Sequence, residues 1–230
     1  NTPPNDLGPN AFEAEIRAFA QARGMEISVT AGDDLLAANF PMIHAVGRAS
    51  AEAPRLADLR WGRPDAPKVT LVGKGVTFDT GGLDIKSAAG MLLMKKDMGG
   101  AANVLGLAHA IVSARLDLRL RVLIPIVENA IAGAAFRPGD VLASRKGITV
   151  EIGNTDAEGR LILADALALA DEETPELLID MATLTGAARV ALGPDLPPLY
   201  STDDTLARAL VMAGVGVDDP LWQMPLWSPY

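Results

Sequence analysis

Charged residues of this sequence concentrate in two glycine-containing segments, VGKGVTFDTGGLDIK at residues 72–86 and NTDAEGR at residues 154–160. In the first segment, Lys74 and Asp79 lie among glycines, which let a backbone approach a ligand closely. In the second, Asp156 and Glu158 are two positions apart, so both side chains point to the same side if the loop is locally extended. The two segments therefore carry groups that could converge on one ligand.

Carboxylates without sulfur ligands are typical of a hard, oxygen-rich cation site. Asp97 follows the first segment, the chain has no cysteine, and its two histidines lie in apolar helical surroundings that favour a core or surface role. Several carboxylates in one cleft would repel one another unless a multivalent cation compensated their charge. Such a site suits Mg²⁺ or Mn²⁺, and Zn²⁺ or Co²⁺ can also use it.

Each of these residues, taken alone, has a simpler interpretation. Asp97 before a helical run is typical of a helix N-cap, and Asp156 in Asn-Thr-Asp is typical of a turn. Lys86 and Arg160 alone indicate surface groups, and Asp165 inside an apolar helix indicates a structural role. A phosphate loop is excluded because GxxxxGK followed by Ser or Thr is absent. Only the combination of residues indicates a metal site.

The composition excludes several classes of protein. The chain has 230 residues, of which 49% are hydrophobic, so it can bury a substantial core. Its 20 basic and 29 acidic residues give a formal charge of −9, which disfavours nucleic acid as a partner. The absence of cysteine excludes disulfide scaffolds and thiolate metal sites. No apolar stretch reaches the length of a membrane-spanning helix, so no membrane partner is expected.

Strands alternate with helices along the sequence, which predicts a three-layer α/β/α sandwich around a central mixed, largely parallel sheet. Apolar runs predict strands at KVTLV, LRLRVLIPIV, ITVEI and LLIDM. Residues 31–60 are predicted to be helical and amphipathic, with breaks at Pro41 and Pro54. Ligands of open sheets bind beyond the carboxyl ends of the strands. We therefore expect the chemistry in the loops after Val72, Ile152 and Met181.

Three strings carry a resemblance to a known family. KGVTFDTGGLDIK, MKKDMGGAA and NTDAEGRL, in this order, closely resemble the leucyl aminopeptidase family, the cytosolic aminopeptidases of peptidase family M17. NTPPND, ENAIAG, RPGDV and MATLTGA fit the same family in the same order, so the resemblance covers nearly the whole chain. Ser87 departs from the family's usual proline, and Leu92 stands where the family usually has an acidic or polar residue.

The resemblance implies a role for ten residues. It places metal ligands at Lys74, Asp79, Asp97, Asp156 and Glu158, catalytic groups at Lys86 and Arg160, and substrate-lining groups at Met94, Thr183 and Leu184.

The resemblance also implies a reaction. It is hydrolysis of the N-terminal residue of peptides, with a leucine-like preference, by two divalent ions that hold a bridging hydroxide as nucleophile. Mn²⁺ or Zn²⁺ are the implied metals, with Mg²⁺ or Co²⁺ as alternatives. Lys74 would ligate as a neutral amine, Lys86 would stay protonated and stabilise an oxyanion, and Arg160 would hold a bicarbonate that acts as general base.

At the level of the whole protein, the resemblance implies that residues 1–230 form a metallopeptidase catalytic domain, incomplete at its C-terminus and without the family's N-terminal domain. A homohexamer in the cytoplasm is expected, acting on peptides with a free N-terminus. Two other functions stay open. A DNA-binding role is disfavoured by the charge of −9, and a two-metal phosphatase would call for more basic groups than Lys86 and Arg160.

Overall fold

The computed structural model describes residues 2–229, which fall into two compact units, one up to Leu184 and one from Thr185 onward. The helices are α1 (Pro9–Ala22), α2 (Asp34–Ala37), α3 (Pro41–Gly47), α4 (Ala88–Met91), α5 (Gly99–Ser113), α6 (Glu158–Asp171), α7 (Ala187–Leu192) and α8 (Asp204–Gly216). The strands are β1 (Glu26–Ala31), β2 (Arg55–Gly62), β3 (Lys68–Gly73), β4 (Gly75–Asp79), β5 (Arg119–Asn129), β6 (Val141–Ala143), β7 (Thr149–Glu151), β8 (Leu177–Met181), β9 (Pro198–Leu199) and β10 (Trp222–Gln223). Two 3-10 helices lie at Met94–Met98 and Thr155–Ala157.

The first unit is built on a six-stranded mixed sheet with the order β1-β2-β5-β3-β8, in which β4 also pairs with β5. Strands β3, β4, β5 and β8 run parallel to one another, whereas β2 pairs antiparallel with β5, and β1 pairs antiparallel with β2. The carboxyl ends of four strands therefore meet at one edge of the sheet. Gly73 of β3 lies opposite Met181 of β8, and Asp79 of β4 lies opposite Asn129 of β5.

Helices cover both faces of this sheet. Adjacent residues of β3 point to opposite cores: Leu71 packs with α1 and α5, and Val72 packs with α3 and α6. Residues 120–127 of β5 are all buried, as expected for a strand covered on both sides, and each fully buried aliphatic side chain contributes about 2 kcal/mol. The predicted three-layer α/β/α sandwich with a mixed, largely parallel sheet is confirmed.

The prediction of helix across residues 31–60 is wrong at its C-terminal end. Helices α2 and α3 occupy only part of this segment, and β2 follows Pro54. β2 has partners along both edges, with Arg55 opposite Ala31 of β1 and Ile126 of β5. Local periodicity gives no information about such long-range pairing, which is what makes this segment a strand.

Asp165 fixes helix α6, whose first residue is Glu158, against the rest of the first unit. Its completely buried carboxylate accepts hydrogen bonds from the backbone N–H groups of Met42 and Ile43, at 2.8 and 3.3 Å, in the first turn of α3. It also accepts from the N–H of Arg145 at 2.8 Å. The structural role predicted for Asp165 is confirmed.

The second unit contains α7, β9, α8 and β10. Strands β9 and β10 pair in parallel, and Asp203 caps α8 by accepting from the N–H groups of Thr205 and Leu206 at 2.8 and 3.1 Å.

Across residues 2–229, no helix combines the length and the apolar character required to cross a membrane.

Candidate metal centre

Lys74 lies between β3 and β4 at the carboxyl edge of the sheet and is almost completely buried. Its N–H donates to the carbonyl of Met181 at 3.0 Å, and its carbonyl accepts from the N–H of Ala101 at 2.9 Å. The preceding Gly73 leaves no room for a side chain, because a Cβ built there would lie 2.4 Å from Val104. The glycine allows β3 to pack directly on α5, and this packing fixes the backbone of Lys74.

The side chain of Lys74 joins two acidic residues from different elements. Its Nζ lies 2.8 Å from Oδ2 of Asp97 and 2.9 Å from Oε1 of Glu158, and it donates to the carbonyl of Thr183 at 2.5 Å. Asp97 is in the 3-10 helix before α5, and Glu158 is the first residue of α6. Both carboxylates are buried. The structure thus brings together three of the five predicted ligands.

The remaining two predicted ligands meet at Lys86. Its Nζ lies 3.0 Å from Oδ2 of Asp79 and also contacts Oδ1 of Asp156. Asp79, Asp156 and Glu158 each present an oxygen atom, and these three atoms lie within 4.8 Å of one another. The two lysine-centred groups are therefore parts of one cluster.

Burial and mutual repulsion raise the pKa values of two carboxyl groups in this cluster. Burial raises the pKa of the Glu158 carboxyl to about 7; Lys74 opposes the rise, and the charges of Asp79 and Asp97 add to it. The pKa of Asp156 is also raised, first by burial and then by Asp79 against the opposing effect of Lys86. Ionised carboxylates are thus costly here without a further positive charge.

The pKa values of the two lysines are raised as well, by their acidic neighbours and against the effect of burial. Burial lowers the pKa of Lys74, but the charges of Glu158 and Asp97 outweigh burial and leave the pKa raised. The pKa of Lys86 is raised to about 12, because its hydrogen bonds to Asp156 and Asp79 outweigh its partial burial. Lys86 therefore stays protonated at neutral pH.

The cluster fits a divalent cation by its chemistry and by its buried carboxylate oxygens. Within residues 2–229, Oδ2 of Asp97, Oδ1 of Asp156 and Oε1 of Glu158 are buried and form ion pairs with a lysine Nζ, but no hydrogen bond of good geometry reaches them. Buried oxygens of this kind normally find a donor or a cation. Four carboxylates also face two close lysines, Lys74 and Lys86, and the more exposed Lys96 at 3.9 Å from Asp97, so an excess of negative charge remains for a metal to neutralise.

The simpler interpretations of two residues do not hold. Asp97 does not cap α5, whose N-cap residue is Met98 without a capping side chain. Asp156 lies in the 3-10 helix at Thr155–Ala157, and its side chain contacts Lys86. We expected the loop after Ile152 to follow a strand of the central sheet. It instead follows β7, which pairs with β6 in a separate two-stranded sheet.

The other predicted site residues lie around this cluster. Arg160 is exposed on the first turn of α6, and within residues 2–229 its guanidinium enters no ion pair. Thr183 binds two predicted ligands, since its hydroxyl donates to Oδ1 of Asp97 at 2.7 Å and its carbonyl accepts from Lys74. Met94 is half-buried at the start of the 3-10 helix, and Leu184 is exposed.

Sequence reasoning did not single out three residues that the structure places against the ligands. Asn129 donates to Asp79, Thr155 links the two acidic loops, and Gly159 packs against Lys74. Asn129 had a usable signal, because it is an amide at the carboxyl end of a buried strand, where ligand sites form. The packing of Gly159 on Lys74 had no signal in the sequence.

Known proteins similar to this chain share a single family. The sequence profile of the cytosol aminopeptidase family, catalytic domain, matches residues 1–230. A probable cytosol aminopeptidase of Roseiflexus castenholzii is 47% identical over 232 residues, covering all of this chain and 48% of that protein. The chain thus spans about half the length of the curated relatives it matches.

Solved structures agree with this match. The crystal structure of the cytosol aminopeptidase from Coxiella burnetii has a TM-score of 0.97 at 56% identity, over all of this chain and 50% of that one. The leucyl aminopeptidase from Trypanosoma brucei in complex with bestatin has a TM-score of 0.94 at 39% identity, over 99% of this chain and 45% of that one. The bottromycin maturation enzyme BotP in complex with Mn has a TM-score of 0.94 at 41% identity, over 100% of this chain and 51% of that one.

Proposed function

This chain belongs to the cytosol aminopeptidase family, and on that premise we propose that residues 1–230 form the catalytic domain of a metal-dependent aminopeptidase. The observation that carries the proposal is the convergence of four carboxylates with Lys74 and Lys86 at the carboxyl edge of the sheet, where Asp79, Asp156 and Glu158 each present an oxygen within 4.8 Å of the others. The enzyme would be a hydrolase that removes the N-terminal residue of peptides.

Five residues would hold two divalent ions: Lys74, Asp79, Asp97, Asp156 and Glu158. The Mn complex of BotP supports Mn²⁺ as one metal of the site; Zn²⁺ also suits this donor set, and Mg²⁺ or Co²⁺ are alternatives. When bound, the ions would supply Lewis acidity to the scissile carbonyl and would activate water as the nucleophile. Lys74 would act as a ligand in its neutral form, since two adjacent dications would reverse the rise in its pKa caused by Glu158 and Asp97.

Two basic residues would act on the substrate directly. Lys86, with its pKa raised to about 12, would donate hydrogen bonds to the oxyanion that develops on the scissile carbonyl. Arg160 presents an exposed planar guanidinium next to Gly159 and Glu158, which suits a bound bicarbonate that takes up a proton as general base. The absence of histidine from the cluster is consistent with this role.

Peptides with a free, leucine-like N-terminal residue would be the substrates. Met94, Thr183 and Leu184 would line the pocket for the first side chain. Met94 is in the same 3-10 helix as Asp97, Thr183 contacts Asp97 and Lys74, and Leu184 follows Thr183 in the chain. The bestatin complex of the Trypanosoma brucei enzyme supports a peptide-like ligand. A cytoplasmic homohexamer is the proposed form of the protein, and the relatives' name of cytosol aminopeptidase supports this location.

The proposal is tested by metal-restored cleavage. The full-length protein is stripped with a chelator and assayed with leucine p-nitroanilide, with and without Mn²⁺ or Zn²⁺. We expect activity only with added metal, because activation of the water depends on the ions. The matched control substrate is N-acetyl-leucine p-nitroanilide, whose blocked amine cannot bind a metal. Equal cleavage of both substrates, or no cleavage with any metal by correctly folded protein, would contradict the proposal.

A further inference from the structure

Asn129 lies at the carboxyl end of β5 and is 1% exposed. Its side-chain Nδ2 donates to Oδ1 of Asp79 at 2.8 Å and to the carbonyl of Thr155 at 3.1 Å. An amide nitrogen has two hydrogens, so both are used. Asn129 therefore bridges the two loops that carry the acidic ligands, one after β4 and one before α6.

The contact with Asp79 fixes the orientation of a carboxylate. Oδ1 of Asp79 accepts from Asn129 and from the N–H of Gly81, each at 2.8 Å. The other oxygen, Oδ2, faces Nζ of Lys86 at 3.0 Å. Because two donors occupy Oδ1, Oδ2 is the atom that remains directed into the cluster.

The contact with Thr155 fixes the neighbouring ligand Asp156. Thr155 is completely buried, and its hydroxyl donates to the carbonyl of Gly81 at 2.6 Å and accepts from the N–H of Asp84 at 2.8 Å. Its own N–H donates to the carboxylate of Asp84 at 2.7 Å. The segment before Asp156 is thus tied to the glycine loop, and the side chain of Asn129 links Asp79 and Thr155 to β5 of the central sheet.

We propose that Asn129 is a positioning residue that sets the separation between Asp79 and Asp156, and with it the affinity for divalent metal. The proposal rests on the proposed function, since it assigns Asn129 to the same metal centre. Outer residues that orient metal ligands typically change affinity or activity by about 10- to 100-fold when they are removed. A purely structural amide would change stability without changing metal affinity.

A matched control separates these two roles. Thr77 is also buried, lies on β4 two residues before Asp79, and donates to the carbonyl of Val127 on β5 at 3.3 Å. The change Thr77→Val removes a buried hydrogen bond between the same two strands but leaves both contacts of Asn129 in place. We expect it to lower the melting temperature and to leave the dissociation constant for Mn²⁺ unchanged.

The test compares Asn129→Ala and Asn129→Ser with the wild type and Thr77→Val in the full-length protein. Mn²⁺ is titrated into chelator-stripped samples by calorimetry, and kcat and KM are measured at limiting and saturating Mn²⁺. We expect the dissociation constant for Mn²⁺ to rise by about 10- to 100-fold in the Asn129 variants. Activity at limiting Mn²⁺ should fall, and saturating Mn²⁺ should restore most of it with little change in KM.

Three outcomes would overturn the inference. The first is a folded Asn129 variant that binds Mn²⁺ as tightly as the wild type. The second is failure of both Asn129 variants to fold, which would make the amide a requirement of the fold itself. The third is a wild type that binds neither Mn²⁺ nor Zn²⁺, which removes the proposed function as well; the first two leave the proposed function intact.

Discussion

Replacing Glu158 with glutamine is expected to lower kcat/KM for leucine p-nitroanilide by more than about 100-fold, because even the loss of an outer residue that supports a metal ligand costs about 10- to 100-fold. Glu158 is 1% exposed and contacts Lys74, and it also lies within reach of Asp79 and Asp156. Glutamine keeps the volume of the side chain but not its charge. The fold should therefore be retained, and circular dichroism checks this.

The control for this substitution is Glu151→Gln. Glu151 is exposed at the end of β7, a few residues before the acidic loop, so its change alters the protein's charge equally without touching the cluster. We expect its activity to match the wild type. Wild-type activity in folded Glu158→Gln would show that Glu158 is not a ligand.

The change Gly159→Ala is expected to lower both activity and metal affinity. A Cβ built at Gly159 would lie 2.7 Å from both Cε and Nζ of Lys74, so the lysine would have to leave its position between Asp97 and Glu158. Displacement of Lys74 leaves two buried carboxylates without this partner and lowers stability, although alanine itself is favoured over glycine in a helix by about 1 kcal/mol. Metal affinity and kcat/KM should each fall by more than about 10-fold, the lower bound for a displaced metal ligand.

Gly106→Ala is the matched control for this prediction. Gly106 is an exposed residue of α5, and a Cβ built there meets no atom within 4 Å. We expect a stabilisation of about 0.5–1 kcal/mol in thermal unfolding and unchanged activity. If Gly159→Ala keeps the activity and the Mn²⁺ affinity of the wild type, the placement of Lys74 as a ligand is wrong.

The sequence predicted the layers of the fold better than their pairing. The apolar run at β5 and the helical spacing of α5 and α6 identify buried elements. A strand covered on both faces has a continuous apolar sequence, and a helix covered on one face has apolar residues at helical spacing. β2 was mistaken for helix because its identity depends on pairing with β1 and β5, which are distant in sequence. The position of β7 in a separate hairpin was also not predictable from its short pattern.

The same contrast holds for the candidate site. Lys74, Asp79 and Glu158 were predicted because their residue types carry the chemistry and their motifs are specific. The residues that hold them in place were not, since Asn129 and Gly159 act through contacts with residues 50 or more positions away. Asp97 illustrates the contrast: its residue type and position alone indicate a helix cap, the MKKDMGGAA motif implies a ligand, and its contact with Lys74 places it in the cluster.

The most direct test of the metal centre is a count of bound metal. Chelator-stripped full-length protein is dialysed against Mn²⁺, and the bound metal is measured by mass spectrometry for the wild type, Glu158→Gln and Glu151→Gln. We predict two Mn²⁺ ions per chain in the wild type and in Glu151→Gln, and fewer in Glu158→Gln. A wild type that binds no Mn²⁺ or Zn²⁺, or a Glu158→Gln variant that retains two tightly bound ions, would contradict the account.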